Sequence, residues 1–157
     1  MVLPNFLIIG AAKGGTTSLY TWLAQHPQIY MTPVKEPNFF ALQGENFNYP
    51  SGTVSQRYLD ECVTNFEAYL EQFKAVNCEI AIGEASPFYL YHPQAASRIQ
   101  QTIPDVKLIA ILRDPVERAY SNFLHHIREG FETVEDFSQA LQAEESRMRD
   151  RWWWGFY

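Results

Sequence analysis

A three-layer α/β fold with a mostly parallel central sheet flanked by helices is predicted by three features of this 157-residue chain. Short apolar runs alternate with segments of helical periodicity, the pattern of strands joined by crossover helices. The run at 107–112, KLIAIL, is almost wholly apolar, as expected of a strand buried on both faces of a parallel sheet. The run that begins at Phe6 leads through a glycine-broken loop straight into hydroxyl residues suited to open a helix.

Residues 6–19, FLIIGAAKGGTTSL, read as a strand, an anion-gripping loop and a helix N-terminus. Glycines 10, 14 and 15 let backbone amides crowd toward one anion, a helix starting near Thr16 adds its partial positive end, and Lys13 supplies one full positive charge. The Walker A order puts lysine directly after the last glycine, whereas here Lys13 precedes Gly14 and Gly15; the loop is P-loop-like with its lysine moved forward. A glycine-rich turn that binds nothing has the same signature. Leu19, Trp22 and Leu23 then form a stripe expected to pack on the sheet, and His26-Pro27 ends that helix. Residues 29–31 are a short extended piece. Residues 32–40, TPVKEPNFF, are expected to be a loop because two prolines forbid a helix, and 41–53 an exposed excursion.

From about Ser55 the pattern turns helical, with Phe66, Tyr69, Leu70 and Phe73 at i, i+3, i+4 and i+7 facing the core. Residues 80–83 are a second strand running into a loop at Glu84-Ala85-Ser86-Pro87, and 92–103 a helix with Pro93 at its first position. After the third strand at 107–112, Asp114-Pro115-Val116-Glu117 is a capped helix start. Val116, Ala119, Tyr120, Phe123, Leu124 and Ile127 form that helix's apolar face, and a capped start at 133–136 opens a last helix toward Arg151. Ligands in such sheets sit beyond the carboxyl ends of the strands, so Lys13, Glu84 and Arg113, each following its own strand, are expected on one edge.

Composition narrows the ligand. With 46% hydrophobic and 15% aromatic residues the chain can bury one domain core. A net charge of −6 without a basic run excludes a nucleic-acid surface, so an anionic ligand must be small and held by a few placed cations. Cys62 and Cys78 lack metal or disulfide-framework spacing and read as reduced thiols. No stretch approaches the ~20 apolar residues of a membrane span, and the first strand follows Met1 too closely for a signal peptide; no membrane partner and a cytoplasmic location are expected.

The order Lys13-Gly14-Gly15-Thr16-Thr17-Ser18 behind an apolar strand resembles the 5′-phosphosulfate loop of sulfotransferases that use 3′-phosphoadenosine 5′-phosphosulfate (PAPS). A second segment agrees. In that family a strand ending in Arg-Asp-Pro, followed by a helix with serine eight residues after the arginine, binds the nucleotide's 3′-phosphate, and Arg113 and Ser121 have this spacing. Arginine at a strand end can fork onto a phosphate and a helical serine can add a donor, although Arg113 paired with a carboxylate and a solvated Ser121 is the bland alternative. Lys35-Glu36-Pro37-Asn38-Phe39-Phe40 resembles the Glu-x-x-Phe-Phe segment of the heparan-sulfate type, which implies that Glu36 is the catalytic base. Pro37 biases Glu36 toward an extended backbone; without the resemblance, a lone glutamate in a loop reads as surface decoration. Ala85 departs from the pattern, standing where heparan-type enzymes carry lysine, which argues against an anionic glycosaminoglycan acceptor. His125 and His126 lie past these motifs on a helix and are expected to be solvated or packed.

The resemblance is to the N-deacetylase/N-sulfotransferase and 3-O-sulfotransferase type and its bacterial relatives. It implies sulfuryl transfer from PAPS to a hydroxyl or amine of a glycan or small-molecule acceptor, without a metal. Glu36 would be the general base and Lys13 would stabilise the leaving phosphate. Lys13, Gly14, Gly15, Thr16, Thr17, Ser18, Arg113 and Ser121 would bind the nucleotide. It also implies that 1–157 is the N-terminal half of the family domain, relatives continuing with more helix, a further strand and a glycine-rich basic loop. Further chain or a partner is then expected to cover Trp152, Trp153 and Trp154. Two other readings share the features: a P-loop kinase, against which the lysine's position speaks, and a nucleotide-binding module without turnover.

Overall fold

In the computed structural model, which describes residues 2–45 and 62–147, the strands are β1 (Phe6–Gly10), β2 (Ile29–Met31), β3 (Ala81–Ala85) and β4 (Lys107–Ala110). They form one parallel sheet in the order β2-β3-β1-β4, with Phe6 opposite both Gly83 and Lys107, and Ile29 opposite Ala81. The helices are α1 (Thr16–Leu23), α2 (Phe39–Leu42), α3 (Phe66–Glu71), α4 (Ala95–Thr102), α5 (Pro115–Glu129) and α6 (Phe137–Arg147), with a 3₁₀ turn at Pro87–Leu90.

Alternation along β1 divides the core. Leu7 points into a cluster with Phe39, Phe40, Tyr69, Phe73 and Ile99, while Phe6 and Ile8 point into a second with Met31 and Ala85, against which Leu19, Tyr20 and Leu23 of α1 pack. Helices therefore cover both faces of the sheet, giving the three layers expected. Local capping explains where helices begin. Asn65 accepts from the Ala68 amide at 2.8 Å to open α3, and Asp114 accepts from the amides of Val116 and Glu117 at 3.0 Å ahead of Pro115 in α5. Asp136 accepts from the Gln139 amide at 2.8 Å and so opens α6 as the 133–136 segment predicts.

The extended piece expected at 29–31 is a strand paired with β3. Several other expectations are corrected. A helix does form within TPVKEPNFF, because α2 starts after Pro37, beyond the reach of its missing amide hydrogen; Ala41 and Leu42 are consequently buried rather than part of an exposed excursion. The remainder of that excursion and the helix start at Ser55 lie outside the described residues. Pro93 is not the first helical residue: Pro93 and Gln94 form a turn, and α4 begins at Ala95. On α1, Tyr20 rather than Trp22 faces inward: its hydroxyl donates to the Thr32 carbonyl at 2.6 Å, and Trp22 is 70% exposed.

The largest correction concerns β4. Among the described residues it is an edge strand, and the apolar run at 107–112 is not covered on both faces, since Leu108 and Leu112 are exposed. Of the six apolar residues assigned to one face of α5 only Phe123 is buried, while Val116, Tyr120 and Leu124 are exposed. Phe123 and Tyr120 meet Phe137 of α6 with ring centroids 5.2 and 5.3 Å apart. Arg151 and Trp152, Trp153 and Trp154 lie outside the described residues.

Leu7 sits at the centre of this arrangement with no exposed surface. Leu7→Ala should lower the stability of the fold by about 2–5 kcal/mol in denaturant unfolding. A loss of less than about 1 kcal/mol would show that this sheet face is not the principal core.

Candidate active site

The anion loop is built by the contact between β1 and β4. The Ala11 amide donates to the Ile111 carbonyl at 2.8 Å, the Ile111 amide donates to the Gly10 carbonyl at 2.8 Å, and the Gly14 amide turns back to the Ala11 carbonyl at 2.9 Å. Gly14 lies so close beneath these carbonyls that a Cβ there would stand 2.6 Å from the Ile111 oxygen and 2.9 Å from the Ala11 oxygen. No larger residue fits without moving backbone. Lys13 has φ 62°, and Gly15, at φ 109°, caps α1 without a side chain. The amides that open a helix have no intrahelical acceptor, so the Thr16–Ser18 end of α1 presents donors and the positive end of the helix dipole. Thr16 is buried; Thr17 and Ser18 are exposed.

Lys13 is half-buried, and burial first, then the Arg128 guanidinium, hold its pKa below the usual lysine value, while Glu36 and Glu129 act in the opposite direction. Lys13 and Glu36, from separate parts of the chain, thus lie within electrostatic reach of each other. His125 belongs to the same group. Burial, Lys13 and Arg128 depress its pKa, and its Nδ1 lies 2.9 Å from an Arg128 guanidinium nitrogen. His125 is half-buried, which agrees with the solvated or packed role expected of it, and its nearness to Lys13 is what the sequence reading did not foresee. A signal for it exists in the sequence: Ser121, His125 and Arg128 are separated by four and then three residues, which places them on one face of a helix.

Glu36 is 38% exposed and ion-paired to Lys35. Its backbone is not extended as Pro37 suggests. Glu36 has φ 64° and Asn38 φ 54°, a left-handed conformation that costs a non-glycine residue on the order of 1–2 kcal/mol. Surrounding contacts hold the loop in it. The Glu36 amide donates to the Ala85 carbonyl at 3.0 Å, the Val63 amide to the Pro37 carbonyl at 2.8 Å, the Asn38 amide to Ser86 Oγ at 3.1 Å and the Phe40 amide to the Tyr89 hydroxyl at 3.3 Å. Phe39, wholly buried, stacks on Tyr69 with centroids 4.5 Å apart.

Glu84 is not at the ligand edge. It lies within β3, wholly buried, because its side chain alternates onto the aromatic face of the sheet. Its Oε1 accepts from the hydroxyls of Tyr89 at 2.7 Å and Tyr69 at 3.2 Å, and its Oε2 from Ser86 at 2.7 Å. Burial pushes the Glu84 carboxyl up to about 7, the hydrogen bonds from Tyr89, Ser86 and Tyr69 restrain that rise, and the charge of Glu36 adds to it. Both tyrosines are pushed well above their ordinary value, by burial and then by Glu84, and so remain donors.

Arg113 follows β4 and is half exposed; its Nε and Nη2 donate to Glu117 at 3.2 and 3.1 Å. The carboxylate pairing is therefore the one realised here. Ser121 is half-buried on α5, four residues beyond Glu117 and on the same face. An exposed pair of this kind contributes only about 0–1 kcal/mol, so it is easily exchanged for a stronger anion. Because β4 lies beside β1, Arg113 and the Lys13 loop share one end of the sheet. Among the described residues no group of three or more His, Cys, Asp or Glu side chains could hold a metal, and no helix is long and apolar enough to cross a membrane.

Residues 4–154 match the model of the sulfotransferase family. The chain is similar to the membrane-associated sulfotransferase kil1 of Dictyostelium discoideum, 37% identical over 78% of this chain and 23% of that protein. It is 36% identical, over 77% of its length, to the bifunctional heparan sulfate N-deacetylase/N-sulfotransferase 1 of Caenorhabditis briggsae, of which it covers 12%. Among solved structures, a sulfotransferase from Alicyclobacillus acidocaldarius superposes with a TM-score of 0.83 at 41% identity, over 96% of this chain and 60% of that one. The chain thus spans less than a quarter of the length of these curated relatives.

The Glu84 carboxyl gives the site a pH signature. Its pKa rises on folding from 4.5 to about 7, so the folded protein holds this proton more tightly than the unfolded chain does. The resulting stability is fully present below the unfolded value and is lost as pH rises through about 7. Between about pH 5 and about pH 8 the stability of the wild type relative to Glu84→Gln should fall by on the order of 2 kcal/mol, measured by denaturant unfolding. A difference that does not change with pH would contradict the burial argument.

Proposed function

Because the chain belongs to the sulfotransferase family, we propose that it transfers a sulfuryl group from PAPS to a hydroxyl or amine of a glycan or small-molecule acceptor. The observation that supports this reading is that Lys13 lies within electrostatic reach of the Glu36 carboxylate, at the end of the sheet where Arg113 also stands. The residues suit a nucleotide with phosphates at both ends. A loop flattened against the Ile111 carbonyl, with no room for a Cβ at Gly14, leaves space for an anion against the start of α1.

Lys13, Gly14, Gly15, Thr16, Thr17 and Ser18 would hold the 5′ end, and Arg113 and Ser121 the 3′-phosphate, with Arg113 giving up Glu117. When bound, the donor supplies an activated sulfuryl group on a phosphate leaving group. The ammonium of Lys13 and the amides at the start of α1 hold negative charge on the 5′-phosphate oxygens. Burial makes Lys13 a partly desolvated cation and Arg128 adds a second positive charge near it, so an anion that reaches it gains more than it would in water. The Glu36 carboxylate accepts the proton of the attacking hydroxyl or amine, and Lys35 orients it through their ion pair. At the position where the heparan-type pattern has lysine, Ala85 is wholly buried and brings no cation, which favours an acceptor of low charge.

Glu36→Gln tests this function, since the change keeps shape and removes the base. Transfer from PAPS to an accepted hydroxyl or amine should fall by about 10² to 10⁴, while calorimetric affinity for 3′-phosphoadenosine 5′-phosphate stays within about twofold. Undiminished transfer by the glutamine variant would place the base elsewhere.

A further inference from the structure

We propose that Glu84 is a positioning residue for the transfer reaction: it sets the direction of two hydroxyl relays that hold the loop carrying Glu36. The proposal rests on reading Glu36 as the base.

The relays are explicit. In one, the Asn38 amide donates to Ser86 Oγ at 3.1 Å and the Ser86 hydroxyl donates to Glu84 Oε2 at 2.7 Å. In the other, the Phe40 amide donates to the Tyr89 oxygen at 3.3 Å and the Tyr89 hydroxyl donates to Glu84 Oε1 at 2.7 Å. A hydroxyl can receive an amide hydrogen only if its own proton points elsewhere. A carboxylate accepts on both oxygens and donates on neither, so ionised Glu84 draws both protons inward and leaves a lone pair on each hydroxyl facing the loop. An amide side chain of the same shape cannot do this. One of its two ends is an NH₂, which donates where the carboxylate oxygen accepted, so the hydroxyl facing it loses the partner for its own proton and the direction of that proton is no longer imposed.

What the relays hold is the strained part of the loop. Asn38 has φ 54°, and Glu36, two residues before it, has φ 64°. Their side of the loop is closed by the Glu36 amide on the Ala85 carbonyl, one residue from Glu84 along β3. The charged and titratable groups that face Glu84 are Tyr69 from α3, Tyr89 from the 3₁₀ turn and, through its charge, Glu36 itself. Packing gives no reason for an acid here, because a wholly buried carboxyl weakens the fold as it ionises. Its effect lies in the direction it imposes on Ser86 and Tyr89.

The test compares wild type, Glu84→Gln and Tyr69→Phe, the last removing a donor to the same carboxyl that belongs to neither relay. At about pH 8, where Glu84 is ionised, hydrogen exchange of the Asn38 and Phe40 amides should accelerate at least about tenfold in Glu84→Gln relative to the Leu7 amide, and by less than about threefold in Tyr69→Phe. Equal acceleration in both variants, or none in Glu84→Gln, would overturn the proposal. In transfer assays Glu84→Gln should lower kcat by about tenfold or more with the KM for PAPS nearly unchanged, and should have no further effect when added to Glu36→Gln. The same fractional loss in the Glu36→Gln background would show that Glu84 does not act through Glu36, and would also overturn it. Full activity of Glu36→Gln alone would instead remove the base assignment, and the exchange measurement would still decide whether Glu84 holds the loop. If Glu84→Gln does not fold, Ser86→Ala and Tyr89→Phe cut the relays one at a time. Each should accelerate exchange at its own amide, Asn38 or Phe40, and the absence of that pairing would reject the relays.

Discussion

Two backbone hydrogen bonds join Ile111 to Gly10 and Ala11, and the functional end of the molecule depends on them. They carry the β1–β4 pairing past the last paired residues, so the chain leaving β1 must turn under the chain leaving β4. That turn is possible only with Gly14 pressed against the Ile111 carbonyl, and it delivers Gly15 in the conformation that starts α1. Lys13 and Arg113, a hundred residues apart in sequence, share one end of the sheet for the same reason. The position of β1 between β3 and β4 then brings the Glu36 loop, tied to Ala85, to the same end of the sheet.

Around that end, cations and carboxylates are interleaved rather than segregated. Lys13 feels Arg128 and Lys35 on one side and Glu36 and Glu129 on the other, and Arg113 is paired with Glu117. A protein with a net charge of −6 has no broad field with which to collect a polyanion. In the proposed reading its site works by local exchange, in which a small anion replaces carboxylates that are weakly held at the surface, and that would favour one dianionic group at each end of a nucleotide over an extended charged chain. The interior follows the opposite rule, with Glu84 surrounded by donors and remote from water.

Much of the fold was legible because its signals are local. The β1 strand, the loop, α1 and the capped starts of α5 and α6 each announce themselves within a few residues, through apolar runs, glycines and side-chain caps. The misreadings share a different cause. That 107–112 is an edge strand depends on what pairs beside it, and the outward turn of Val116, Tyr120 and Leu124 depends on what packs above them; neither is encoded in periodicity. The bias of Pro37 on Glu36 is local too, but several tertiary hydrogen bonds override it. In the site, Lys13 and its loop stand out by composition. His125, Arg128 and the network centred on Glu84 do not, because their meaning comes from residues tens of positions away.

The central claim is that this end of the sheet receives a nucleotide carrying a phosphate at each end, with Arg113 reading the 3′-phosphate. Calorimetry with Arg113→Ala tests it most directly. The variant should bind 3′-phosphoadenosine 5′-phosphate about 10- to 100-fold more weakly than the wild type, the scale of hydrogen bonds to a charged group, and adenosine 5′-phosphate with an affinity changed by less than about twofold. Equal losses for the two nucleotides, or no loss for either, would contradict the account.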